Sequence, residues 1–160
     1  MAKDNVQIVW EGLKEFSEEL GKMDKLLEKN LFAAMKEYLK LVEEGAKALS
    51  PRDEGDLEDS IQFTNPKMEG FKVVSEGGSN LDYALRRHEQ PYSSGTWSKY
   101  DNGALIEGYY TDGRGQRTWS KGSWRGEQPG RKYLERAIQL TEDDFEKIMA
   151  RALEKTLGGK

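Results

Sequence analysis

Val6-Gln7-Ile8-Val9-Trp10 is short, apolar and rich in β-branched residues, the composition of a strand. Leu13, Phe16 and Leu20 then recur at helical spacing, and Gly21 is a natural stop. From Asp24 the spacing predicts a long helix with Leu27, Leu31, Ala34, Tyr38, Leu41 or Val42, and Leu49 on one stripe. Lys29, Lys36, Lys40, Glu43, Glu44 and Lys47 fall on the opposite face, and Glu43 precedes Lys47 by the four residues that favour an ion pair. The stripe is too loose for a heptad, so the pattern predicts a helix lying on a sheet rather than a coiled coil.

Pro51 lacks an N–H and biases Ser50 away from the α region, so the helix must end there. Pro51, Gly55 and Asp56 read as a corner. Gly55 permits positive φ, and Asp56 is placed to cap a new turn through Leu57 and Ile61. Ser60 to Thr64 and Phe71 to Ser75 read as two strands joined through Asn65-Pro66 and Gly70. Asp82 is placed to cap a short helix with Tyr83, Ala84 and Leu85. Residues 91–128 have no continuous core pattern and predict an extended arm or insertion, with a primed hairpin turn at Asp112-Gly113. A loop this long and Gly-rich is costly to order, so residues 92–128 are expected to be mobile in a free subunit. Leu134, Ala137 and Ile138 resume the helical period, and Thr141 with Asp144 resembles a capping box. Phe145, Ile148, Met149, Ala152 and Leu153 form the last stripe, closed by Gly158-Gly159.

These elements predict an α+β fold: a small, mostly antiparallel sheet, a long N-terminal helix packed on it, a C-terminal helix beside that, and the arm. At 160 residues the expected organisation is a single domain, 1–160. Leu, Ile, Val and Phe make up about 19% of the chain, a thin core that copies of the chain could complete. The net charge of −4 argues against disorder. With no Cys there is no thiolate or disulfide chemistry. No apolar run approaches the roughly 18 residues of a membrane span, and no signal-peptide h-region is present. No membrane association is expected.

Asp53, Glu54, Asp56, Glu58 and Asp59, with His88, are the only grouping that invites an enzymatic reading. Acids at a helix start are ordinary, because they suit the dipole, and their spacing is not that of a calcium loop. One histidine offers no zinc set or hydrolytic triad. Neither catalysis nor a cofactor or metal is expected. The basic aromatic segment 91–133 holds seven Lys and Arg against four Asp and Glu, whereas 51–90 holds five against nine. Trp97, Trp119 and Trp124 interleave with Lys99, Arg114, Arg117, Lys121 and Arg125. That mixture suits either nucleic acid or a protein surface. Whole-chain acidity disfavours tight phosphate binding, so the expected surface is a subunit interface: Trp97, Tyr100, Tyr109, Tyr110, Arg114, Arg117, Trp119, Trp124 and Arg125. A nucleic-acid-binding module is the alternative.

Three stretches carry a resemblance. A long helix ending Ala48-Leu49-Ser50-Pro51 leads into Asp53-x-Gly55-x-Leu57-x-x-Ser60-Ile61. Asp82-Tyr83-Ala84-Leu85-Arg86-Arg87-His88-Glu89 and Pro129-Gly130-Arg131-Lys132-Tyr133-Leu134-Glu135-Arg136-Ala137-Ile138 follow in order. Together they resemble the neck and tail-completion proteins of tailed bacteriophages, the head–tail joining proteins also described as minor tail components. Glu54 stands where that family often has Thr, and the spacer from Glu89 to Pro129 is long for it. The resemblance implies a structural virion protein made in the bacterial host cytoplasm. It implies a ring, a hexamer or else a dodecamer, between the connector or head-closure proteins and the tail tube or terminator. DNA would pass through its lumen without specific binding.

Overall fold

A helix of 25 residues, Lys25–Leu49 (α1), is the backbone of the core. The computed structural model describes residues 4–11, 25–70 and 72–158. The expected helix at Leu13, Phe16 and Leu20, its stop at Gly21, the start at Asp24, Phe71 and Gly159 lie outside these residues. Leu27, Leu31, Ala34, Tyr38, Val42 and Leu49 are buried, as the spacing predicts, with Val42 rather than Leu41 on the buried stripe. Met35, Leu39 and Ala46 widen that stripe. On the outer face Lys47 Nζ meets Glu43 Oε1 at 2.6 Å.

Two helices cover α1: Tyr133–Gln139 (α5) and Glu142–Leu157 (α6). α1 and α6 run antiparallel. Asn30 donates to Thr156 Oγ1 at one end, and Tyr38 packs edge-on to Phe145, 4.9 Å between centroids, nearer the other. Ile148, Met149 and Ala152 are buried, with Phe145 and Leu153 half-buried against the same core. Thr141 is the N-cap of α6, but its hydroxyl turns back to Ala137 O (2.8 Å) and Ile138 O, so the expected capping box does not form.

The first sheet is antiparallel: Asp4–Trp10 (β1), Gln62–Phe63 (β2), Lys67–Glu69 (β3) and Lys72–Ser79 (β4). β4 is central, with β1 on one side and β2 and β3 following each other on the other. β3 occupies part of the stretch expected to be a connection. Val6, Ile8 and Trp10 pair with Gly77, Ser75 and Val73, so alternate residues of both strands share the core-facing side. Phe63 lies flat over Gly77, where any Cβ would sit within 2.0 Å of its ring.

Residues 91–128, where the sequence predicts an arm carrying a hairpin, hold a second sheet. Thr96–Asp101 (β5), Ala104–Thr111 (β6) and Arg114–Gly115 (β7) form a second antiparallel sheet, followed by one turn of helix, Gln116–Trp119 (α4). Asp112-Gly113 makes the expected primed turn, with φ of 48° and 79°. Asn102-Gly103 makes another, with φ of 48° and 81°. This sheet is docked against its own chain, by contacts described below.

Candidate functional site

The corner after α1 is where the two sheets and the long helix meet. Gly55 has φ 113° with open space around it, so the position demands glycine through its backbone alone. It is the N-cap of the short helix Asp56–Ser60 (α2) and makes no side-chain cap. Asp56 is therefore the first helical residue, where its charge suits the dipole, and not the expected cap. Asp82 likewise leaves the N-cap of Ala84–Glu89 (α3) to Tyr83, while Leu81 O takes the Ala84 N–H.

Pro51 creates a specific deficit, since it has no N–H to give to Lys47 O. Ser50 Oγ and Lys121 Nζ fill that place, at 2.9 and 2.7 Å. Lys121 Nζ also donates to Ser50 O at 2.8 Å and to Glu58 at 3.2 Å. Gly130 N donates to Leu49 O at 2.7 Å. Arg52 N and O exchange hydrogen bonds with the Thr118 hydroxyl. The carbonyl end of α1 is thus closed by the segment after the second sheet.

Asp53 ties that sheet down. Lys99 Nζ lies 2.6 Å from its carboxylate, Tyr109 Oη donates at 3.1 Å, and Arg117 donates to both its carboxylate and its carbonyl. Burial raises the Asp53 pKa, but the bonds from Lys99 and Tyr109 and the charges of Lys99 and Arg117 outweigh it and hold the group below its ordinary 3.8. A carboxylate with a lowered folded pKa stabilises fully above its free value and loses that contribution as pH falls through the folded pKa. Thermal unfolding between pH 5 and pH 2 should therefore fall more steeply for the wild type than for Asp53→Asn. Parallel profiles would remove Asp53 as the tie.

The nine aromatic and basic residues expected at an interface divide in two. Tyr109 is 3% exposed, under Gly115. Trp124 lies on the backbone of α1 at Gly45, with Arg125 stacked on its ring at 4.9 Å and paired to Asp144. Arg117 serves Asp53. Arg114 stacks between Trp119 (3.6 Å) and Tyr92 (5.1 Å) and donates to Pro129 O. Trp97 and Tyr100, by contrast, are 58% and 75% exposed on the second sheet, with Trp119 exposed and Tyr110 half-buried. Lys99, Arg114, Arg117, Lys121 and Arg125, the cations a nucleic-acid surface would need, all have partners within the chain.

A cleft of about 390 Å³ opens beside the corner, between Pro51–Leu57, α3 and the second sheet. Tyr83, Tyr92, Tyr109 and Tyr110 line it, together with arginines and with Asp53, Glu54 and Asp56. The acids do not gather into a catalytic set: Asp53 and Glu58 are occupied by cations. His88 is buried edge-on to Tyr133, with Nδ1 2.7 Å from Glu89. Among the described residues no group of three His, Cys, Asp or Glu is placed to share a metal ion, and no helix is long and apolar enough to cross a membrane. Sequence reasoning missed the Lys121 and Thr118 contacts and the place of Gly45. Only the oddity of a glycine inside a strong helix could have pointed to the last.

Residues 14–86 match the HK97-gp10-like family model, described as "Bacteriophage HK97-gp10, putative tail-component". The matched stretch runs from before α1 through the corner and strands β2 to β4 into α3, leaving out β1, and ends before the second sheet begins. It agrees with the phage neck and tail resemblance of the sequence and supports a structural role in the phage tail or neck, within the virion. No curated protein and no solved structure matches the chain.

Proposed function

We propose, from the match of residues 14–86 to a family of phage tail components, that this chain forms a ring in the phage neck. The ring joins the head connector or head-closure proteins to the tail tube or terminator and lets DNA pass through its lumen. A hexamer is the favoured stoichiometry and a dodecamer the other. The chain's charge of −4 suits a lumen along which DNA slides without being held.

The observation that carries the reading is the second sheet. It is anchored to the chain's own corner, yet Trp97 and Tyr100 stand out from it into solvent, with Trp119 and Tyr110 nearby. Large aromatics held rigidly outside a core are the residues that anchor protein interfaces. Tyr109, Arg114 and Arg117 hold that surface in place, while Trp124 and Arg125 pack on α1 and α6. Trp97→Ser with Tyr100→Ser should leave the fold intact, because neither side chain is in the core, and should shift purified protein from rings to monomers. Sizing and two-dimensional particle averages read this. Rings of unchanged abundance in the double variant would overturn the interface.

A further inference from the structure

Arg86 and Arg87 stand out among the arginines of this chain. Arg52, Arg117, Arg125 and Arg151 sit on carboxylates, and Arg114, Arg131 and Arg136 donate to backbone carbonyls, whereas no ion pair or side-chain hydrogen bond joins these two to another described residue. As the last turn of α3 they suit the helix dipole, which accounts for their sign but not for their surroundings. They border a shallow groove of about 350 Å³, with Gln90, Ser93, Trp97 and Tyr110, and no carboxylate lines it. In a chain with more acids than bases, a groove with two free guanidinium groups and an exposed tryptophan calls for an acidic occupant.

The same chain offers one. Glu142, Asp143 and Asp144 form the first turn of α6. Asp144 is taken by Arg125, but Glu142, Asp143 and Glu146 are exposed and unpaired among the described residues. Glu142 and Glu146 are four residues apart, on one face and about 6 Å apart along the axis. Glu54 and Asp56 line the adjoining cleft of the same subunit, which Arg86 and Arg87 also border, but neither acid is paired with them. α6 instead packs on α1 and carries its acids on a separate element.

We infer that the Arg86/Arg87/Trp97 groove of one subunit receives the acidic start of α6 from a second copy of this chain. Two different patches on each subunit make a head-to-tail contact, the kind that closes into a ring when the rotation permits. The inference rests on the ring reading and specifies its contact. Complementary charge sets register and suppresses wrong pairings, and like charges brought together are costly.

Charge exchange tests it. Arg86→Glu with Arg87→Glu should raise the concentration for half-assembly roughly tenfold or more. Glu142→Lys, Asp143→Lys and Glu146→Lys together should do the same. Both sets in one chain should restore rings, as should mixing the two singly reversed proteins, and circular dichroism checks that each variant is folded. A wild-type chain that stays monomeric overturns the ring and this docking with it. Wild-type rings indifferent to the arginine reversal, or a folded combined variant as monomeric as its parents, overturn the docking alone. So does a reversal that spares the ring but weakens binding to double-stranded DNA, which assigns the arginines to phosphate.

Discussion

Gly45→Val should destabilise the chain by about 3 kcal/mol, at the upper end for overpacking a closed site. Gly45 lies inside α1, where glycine is inferior to alanine by about 1 kcal/mol, so helix propensity alone predicts gain from almost any replacement. Packing predicts the reverse. A Cβ at this position would fall 2.4, 2.7 and 2.9 Å from three carbons of the Trp124 ring, and the Arg125 guanidinium stacked on that ring limits its retreat. The decisive comparison uses alanine. Gly45→Ala should cost stability in the wild type and should gain roughly 1 kcal/mol in a Trp124→Ala background, where only propensity remains. Denaturant unfolding of the four proteins in this cycle gives the sign directly. The same sign in both backgrounds would mean that Trp124 does not rest on the helix.

Lys121→Met should lower stability by about 2–3 kcal/mol, the scale for losing hydrogen bonds made by a charged group. For a chain of this size that is roughly a 5–10 °C fall in Tm. Methionine keeps the length and apolar stem of the lysine, so packing is largely preserved. What disappears is the ammonium that serves Lys47 O, Ser50 O and Glu58. Arg52 stays on Glu58 at 2.8 Å, so the carboxylate is not orphaned, and the loss falls on the helix end. Glu58→Gln, which leaves both carbonyl bonds in place, should cost clearly less. Equal losses in the two variants would assign the role of Lys121 to the ion pair instead.

The two largest effects fall where local pattern says least. The stripe of α1, the β-branched run of β1, the break at Pro51 and the Asp112-Gly113 turn were legible because each follows from nearest neighbours or a period. The three side-chain caps expected at Asp56, Asp82 and Thr141 did not form. A residue type that favours capping does not decide the helix boundary, and Thr141 found two carbonyls behind it instead. Beyond that turn, the second sheet was illegible for a different reason. Its strands carry polar and aromatic residues on both faces, and it docks through hydrogen bonds and ion pairs between residues such as Asp53 and Lys99, 46 positions apart. No window of ordinary length contains both partners. Of the interface residues expected from composition, exposure separates Trp97 and Tyr100 from Tyr109, and no sequence signal distinguishes Tyr109 from its neighbour Tyr110.

The closure of α1 by Lys121 and Gly130 has a consequence for the order in which the molecule can form. During synthesis the long helix emerges before the residues that close it, and its carbonyl end stays open to water until some eighty further residues have followed it. Ser50 Oγ is the one local partner for Lys47 O in that interval. Closing so long a loop comes before any reward from the contacts it brings, and such non-local steps are slow compared with helix formation. The helix and the first sheet can therefore collapse first, with Trp97 and Tyr100 arriving at their fixed positions only once residues 117–130 have followed. The surface proposed to meet other copies is then presented last, on a subunit whose core is already shut. That sequence of events limits premature association while the apolar faces are still exposed.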